Sequence, residues 1–245
     1  MHSDIEAGRR KMKISDLNAE ELTSRLILAV INYKENEDKI GGYPFVKKGN
    51  FAILTQLCVG EKNDVGQYTA CLTVTNDLLE QWGLSKEQLF DIAADNSKKM
   101  FPSDVQPLTN YTEKSLLKVN VELPDDISLN DVIVLTNQQH FNGAATMFYE
   151  PDILHDIAKE KNVNQLVLMP SGVNQIYCIP MRDNTSLEEC KSLYQNLIDM
   201  IDKDNRLADS ILSFNSQSGM VTEVDGESYT LNLNNTSVRR AEHRR

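Results

Sequence analysis

The chain predicts an α+β fold: a mixed or antiparallel sheet with hairpins, carrying packed amphipathic helices. Three observations predict it. Short strand-like runs come in pairs joined by turn residues, as in NFAILTQLCV and YTACLTV around GEKNDVGQ. Helical segments carry their own start signals, the clearest being Ser85-x-x-Gln88. A strict alternation of one strand with one long crossover helix, which a doubly wound parallel sheet needs, is missing.

The elements follow in order. Residues 1–16 carry Arg9, Arg10, Lys11 and Lys13 without an apolar period, and read as a basic tail. From Asn18, the positions Leu22, Leu26, Ala29, Val30 and Tyr33 fall at helical spacing, so a helix is expected that ends before Gly41-Gly42. Residues 50–59 and 68–74 form a hairpin, which could set Cys58 and Cys71 face to face. Thr75 and Asn76 start a short helix that stops at Trp82-Gly83, with Trp82 as a core anchor. Ser85 opens a second helix with Leu89, Ile92, Ala93 and Asn96 on one side. Residues 103–130 are mostly polar: 116–121 reads as a strand, the rest as a surface connection and a candidate sub-boundary.

The stretch 131–180 is the expected centre of the fold. An apolar run at 132–135 is followed by a loop over 136–142, and Asn142-Gly143 reads as a turn with positive φ at the glycine. A second strand is expected at 144–149, then a helix opened by Pro151. Two further strands are expected on either side of a Pro170-Ser171-Gly172 turn. Thr185-Ser186 caps a helix over 187–202 with Leu193, Leu197 and Ile201 on its apolar stripe. Three short strands turning at Gly219 and at Asp225-Gly226 close a single domain over 17–235, before an Arg-rich tail at 236–245.

The net charge of −11 over 245 residues argues against direct nucleic-acid binding through the folded body, and against binding an anionic membrane. The N-terminus is polar, and the nearest apolar run, 26–31, is far shorter than the roughly 20 residues that span a bilayer. A cytoplasmic protein is expected. The cysteines Cys58, Cys71, Cys178 and Cys190 contain no Cys-x-x-Cys pair, and with the few histidines they do not make a zinc framework. Reduced core thiols are expected, with no metal and no cofactor.

Four blocks carry a resemblance: INYKENEDKI, LTVTNDLLEQWGLSKEQLFDIAADNS, VIVLTNQQHFNGAATMFYEPDILHDIA and LVLMPSGVNQIYCIP. In this order they resemble a bacterial family catalogued as domain of unknown function 5688, over roughly 26–224. Its most specific marks are Thr75-Asn76 with Trp82-Gly83, Thr136-Asn137, Asn142-Gly143-Ala144 and Pro170-Ser171. The resemblance implies no assigned activity. In the family the Pro-Ser pair is commonly followed by Ser-Val-His-Glu, whereas this chain has Gly172, Val173, Asn174 and Gln175. Any acid-base work by that His-Glu pair is therefore closed to this chain at those positions.

No motif names a reaction. The chain has no phosphate loop, no Gly-x-Gly-x-x-Gly, no His-Glu-x-x-His and no Gly-x-Ser-x-Gly elbow. A polar cluster remains: Thr136, Asn137, Gln138, His140 and Asn142, with Ser171 in a nearby turn. It reads as a small-ligand or peptide pocket with His140 as donor or base. The favoured reading is a hairpin loop in which Thr and Asn bond their own backbone and His140 is solvated, since a polar turn at a strand end needs nothing more to explain it. No catalytic residue is assigned. The leading functional reading is a non-catalytic binding or interaction module with an unidentified protein partner. The alternatives are a hydrolase-like enzyme using Ser171 or His140, and an acidic protein occupying the basic nucleic-acid groove of a partner.

Overall fold

In the computed structural model, residues 19–62, 68–110, 127–199, 201–223 and 227–233 are described. Both predicted tails, the predicted strand at 116–121 and the Asp225-Gly226 turn lie outside them. Among the described residues every strand pairing is antiparallel, so the expected α+β fold with hairpins holds.

The first sheet is built from β1 (Leu26–Asn32), β2 (Phe45–Lys48), β3 (Phe51–Lys62) and β4 (Tyr68–Thr73). The long strand β3 lies at its centre, with β1 on one side and β2 then β4 along the other. Helix α1 (Ala19–Thr23) precedes it, and α2 (Tyr33–Asn36) follows β1. The single helix expected from Asn18 to before Gly41-Gly42 is therefore corrected: α1 ends at Thr23 and LILAVIN is a strand. Its residues are buried, apart from the half-buried Ile31, so no polar alternation marks it as β. The β3–β4 hairpin forms as predicted, and Cys58 stands opposite Cys71.

Two helices follow β4 with the predicted caps. The Thr75 hydroxyl accepts from the Leu78 amide at the start of α3 (Asn76–Trp82), and Gly83 ends it in the left-handed region. Trp82 is half-buried and packs at the margin of the main core. Helix α4 (Lys86–Met100) opens with the complete Ser85–Gln88 capping box. Its far end covers the open edge of β1. The Leu28 amide donates to the buried Ser97 hydroxyl at 2.8 Å, and Asn96 donates to the carbonyls of Thr23 and Leu26. An exposed strand edge would leave such groups to water or to another chain.

The second sheet has seven strands: β5 (Ser103–Pro107), β6 (Ile133–Asn137), β7 (Gln165–Gly172), β8 (Gln175–Pro180), β9 (Leu212–Asn215), β10 (Met220–Glu223) and β11 (Ser228–Thr230). Their order is β11-β10-β9-β7-β8-β6-β5. Between β6 and β7 lie α5 (Thr146–Tyr149) and α6 (Ile153–Glu160), and α7 (Leu187–Ile198) follows β8. Alternation splits the sheet's side chains. Val134, Val167, Met169, Tyr177 and Ile179 meet Cys190, Leu193, Tyr194 and Leu197 of α7 on one face. Ile133, Leu135, Leu166, Leu168, Ile176 and Cys178 share the main core with the first sheet, α4, α5 and α6. Both faces are covered, which is why these strands read as unbroken apolar runs.

Two more expectations are corrected here. Residues 144–149 are not a strand: Gly143–Ala145 forms a 3-10 turn that runs into α5, with every side chain from Ala144 to Tyr149 buried. Phe148 meets Phe51 of β3 edge to face, at 5.8 Å between ring centres, and the Tyr149 hydroxyl donates to the Phe101 carbonyl. A run buried on every side has neither strand nor helix periodicity. Second, Pro170, Ser171 and Gly172 are not a turn but the end of β7, where the register with β8 shifts; the reversal falls at Val173-Asn174. No helix of the described residues is long and apolar enough to cross a membrane.

Candidate functional site

The polar cluster of the sequence sits where β6 leaves the second sheet. Thr136 and Asn137 are its last residues, almost wholly buried. The Thr136 hydroxyl donates to the Asn174 carbonyl at 2.7 Å, tying β6 to the β7–β8 turn. Asn137 frames the loop after it: its amide nitrogen donates to the Phe141 carbonyl, and its amide oxygen accepts from the Gln139 and Phe141 backbone amides. This is the local side-chain-to-backbone bonding expected of Asn in a tight loop. His140 and Asn142 both have positive φ, 51° and 49°. The Asn142 side chain donates to Gln56 of β3 at 3.2 Å, so the loop bridges the two sheets.

Thr136, Asn137 and Asn142 are thus engaged in holding the loop. Gln138 is exposed and His140 half-buried. Gly143 does not have positive φ, contrary to expectation; that conformation falls to Asn142. Gly143 is required for another reason. A Cβ there would strike the Asn174 carbonyl and the Thr136 hydroxyl. Asn174, where the resemblance implies His, therefore lies beside Thr136 and Gly143.

Ser171 is 1% exposed, and its hydroxyl has no hydrogen-bond partner. No base, His140 included, is hydrogen-bonded to it, and an unactivated serine hydroxyl is a poor nucleophile. His155 lies on α6, half-buried and edge-on to Phe214 at 5.0 Å between ring centres. Among the described residues, no group of three or more His, Cys, Asp or Glu side chains is placed to hold a metal ion.

A cleft that the sequence did not single out opens at the other side of this loop. It encloses about 480 Å³ between β5, the end of α4 and α6. It is lined by Ser103 and Val105 of β5, by Lys98 of α4, and by the acidic residues Glu150, Asp152, Asp156 and Glu160. The Ser103 hydroxyl donates to Glu150 at 3.1 Å. Among the described residues β5 has one strand neighbour, β6, and stands last in the strand order. The Gln138 amide donates to the Pro102 carbonyl and thereby joins the polar loop to the start of β5. The sequence signal was present in the four-residue spacing of Asp152, Asp156 and Glu160 along one helix face, but nothing local ties that face to an edge strand.

The fold and site define a two-sheet α+β protein with a self-bonded polar loop and an acidic cleft beside β5. The chain belongs to the family of unknown function DUF5688, whose model matches residues 4–216. No curated protein and no solved structure matches it.

Proposed function

We propose that this protein is a non-catalytic interaction module that receives an extended, basic segment of a protein partner along β5. The cleft beside β5 carries this reading. An edge strand offers a row of main-chain donors and acceptors to a further strand, and pockets beside it select alternate side chains. Four carboxylates against one lysine around that edge favour Lys and Arg in the incoming segment. The chain's net charge of −11 steers such a partner inward. Gln138, whose amide bonds Pro102 just before β5, and His140 in the same loop are the exposed and half-buried members of the polar cluster, and in this reading they contact the partner. Thr136, Asn137 and Asn142 hold the loop in place. Buried Ser171 makes no contact.

A fluorescein-labelled peptide of alternating Lys and Val tests the proposal by anisotropy. Wild type should bind it, and the Asp156→Lys/Glu160→Lys double variant at least about tenfold more weakly. Raising salt from about 0.05 to 0.5 M should weaken wild-type binding, because the exposed charges become screened. Equal binding by both proteins, or none by wild type, would sink the reading.

A further inference from the structure

We propose that Cys58 and Cys71 form a redox-active dithiol site, which low-molecular-weight disulfides such as oxidised glutathione convert to an intramolecular disulfide. The two residues are cross-strand partners in the β3–β4 hairpin, and their sulfurs lie 2.9 Å apart. The backbone makes this proximity a property of the register. The Cys58 amide donates to the Arg25 carbonyl, on the side of β3 away from β4. The amide and carbonyl of one residue in an antiparallel strand point to the same side, so Cys58 and Cys71 exchange no backbone hydrogen bonds. Pairs of this type bring their Cα atoms to about 4.5 Å and their side chains closest together. That spacing lies within the range found for disulfides, whose sulfurs are about 2.03–2.05 Å apart. Closing the bond therefore asks each sulfur to move by about half an ångström, with no shift of register.

The two sulfurs differ in access, and this assigns their roles. Cys71 is half-buried, while Cys58 is fully buried among Ile27, Phe101 and their neighbours. Either thiol can donate across the pair, and the hydrogen bond with Cys58 holds the Cys71 pKa below its ordinary value, against the opposing effect of burial. Thiolate is the attacking form. Cys71 thiolate attacks one sulfur of the small disulfide, breaks its S–S bond and releases one thiolate, leaving a mixed disulfide on Cys71. Cys58 then loses its proton and attacks the Cys71 sulfur, expelling the second small thiolate. The protein loses two electrons and two protons, and one small disulfide becomes two thiols. Cys178 and Cys190 are buried, and neither has a second cysteine across a strand register.

The cluster around the pair also holds Met100 and Phe141, and Phe141 is the loop residue whose backbone Asn137 clasps. Oxidation would thus tie β3 to β4 directly beneath the polar loop.

The test uses the wild-type protein, fully reduced, then held in oxidised glutathione under native conditions, and finally denatured in an alkylating reagent. Two of the four cysteines should escape alkylation. Digestion should yield a peptide pair joined through Cys58 and Cys71, and dithiothreitol should restore alkylation of all four. In Cys58→Ser, glutathione should remain on Cys71, since no second sulfur expels it. Wild-type protein alkylated at all four positions overturns the proposal. So does a glutathione adduct that persists on wild-type Cys71, or a disulfide that joins two chains or engages Cys178 or Cys190. The wild-type result decides by itself if the variant fails to fold.

Discussion

At Gly143 a side chain is excluded by its neighbours rather than by its own backbone. The Asn174 carbonyl and Thr136 hydroxyl occupy the place of a Cβ, and both are fixed by their mutual hydrogen bond. Gly143→Ala should cost about 1–3 kcal/mol as overpacking, and Gly143→Val more, read from the urea midpoint. A silent Gly143→Ala would show that the β7–β8 turn yields easily. Glu223 gives a prediction of another kind. Its carboxylate accepts from the Asn50 backbone amide at 2.6 Å, next to the left-handed Gly49. Burial pushes its pKa above the ordinary 4.5, outweighing the Asn50 bond that lowers it. The folded state then holds the proton more tightly than the unfolded chain. This group's contribution to stability therefore falls as pH rises from about 4.5 through the folded value. Glu223→Gln removes that slope. The difference in unfolding free energy between wild type and variant should be flat below the window and change across it. A constant difference throughout would show that Glu223 titrates alike in both states.

At the scale of elements, α4 and α7 do different work. Helix α4 completes a sheet edge, since Ser97 is the acceptor for the Leu28 amide. Ser97→Ala leaves that buried amide without its partner and should cost about 1–3 kcal/mol. It should also raise hydrogen exchange at Leu28 above that of its β1 neighbours. Unchanged exchange would mean that the amide finds another acceptor. Helix α7 covers the outer face of the seven-stranded sheet through Leu193, Tyr194 and Leu197. Leu197→Ala should cost about 2–5 kcal/mol as a buried large-to-small change. A loss under about 0.5 kcal/mol would show that the helix repacks onto the sheet without this side chain.

The whole molecule is held at a shared core. Phe51 and Ile53 of the first sheet lie in one buried cluster with Leu166 and Phe214 of the second, and Phe148 of α5 bridges them. A second joint lies at Gly49, where a Cβ would strike the Glu223 carboxylate and the Tyr229 ring. The two sheets should consequently unfold together. Trp82, the single tryptophan, packs against that core, and far-UV circular dichroism reports both sheets. Urea transitions followed by the two probes should coincide. Two separated transitions would divide the chain into independently stable units.

By itself the sequence determined those features whose causes lie within a few residues. The Thr75 and Ser85 caps, the helix stop at Gly83, the turn at Gly219, and the β3–β4 hairpin with Cys58 opposite Cys71 all follow from residue types acting on nearby backbone. The family was legible too, through short blocks in a fixed order. Only the tertiary structure decided the form of 26–32 and 144–149. Both runs are buried almost throughout, so burial erased the period that separates strand from helix. The candidate site divided in the same way. Asn137 was legible as a loop-former, because its bonds to Gln139 and Phe141 are local. The closure of Thr136 on Asn174 and the meeting of β5 with the α6 carboxylates join residues tens of positions apart. Contacts at that separation are set by how layers pack, which no local pattern encodes.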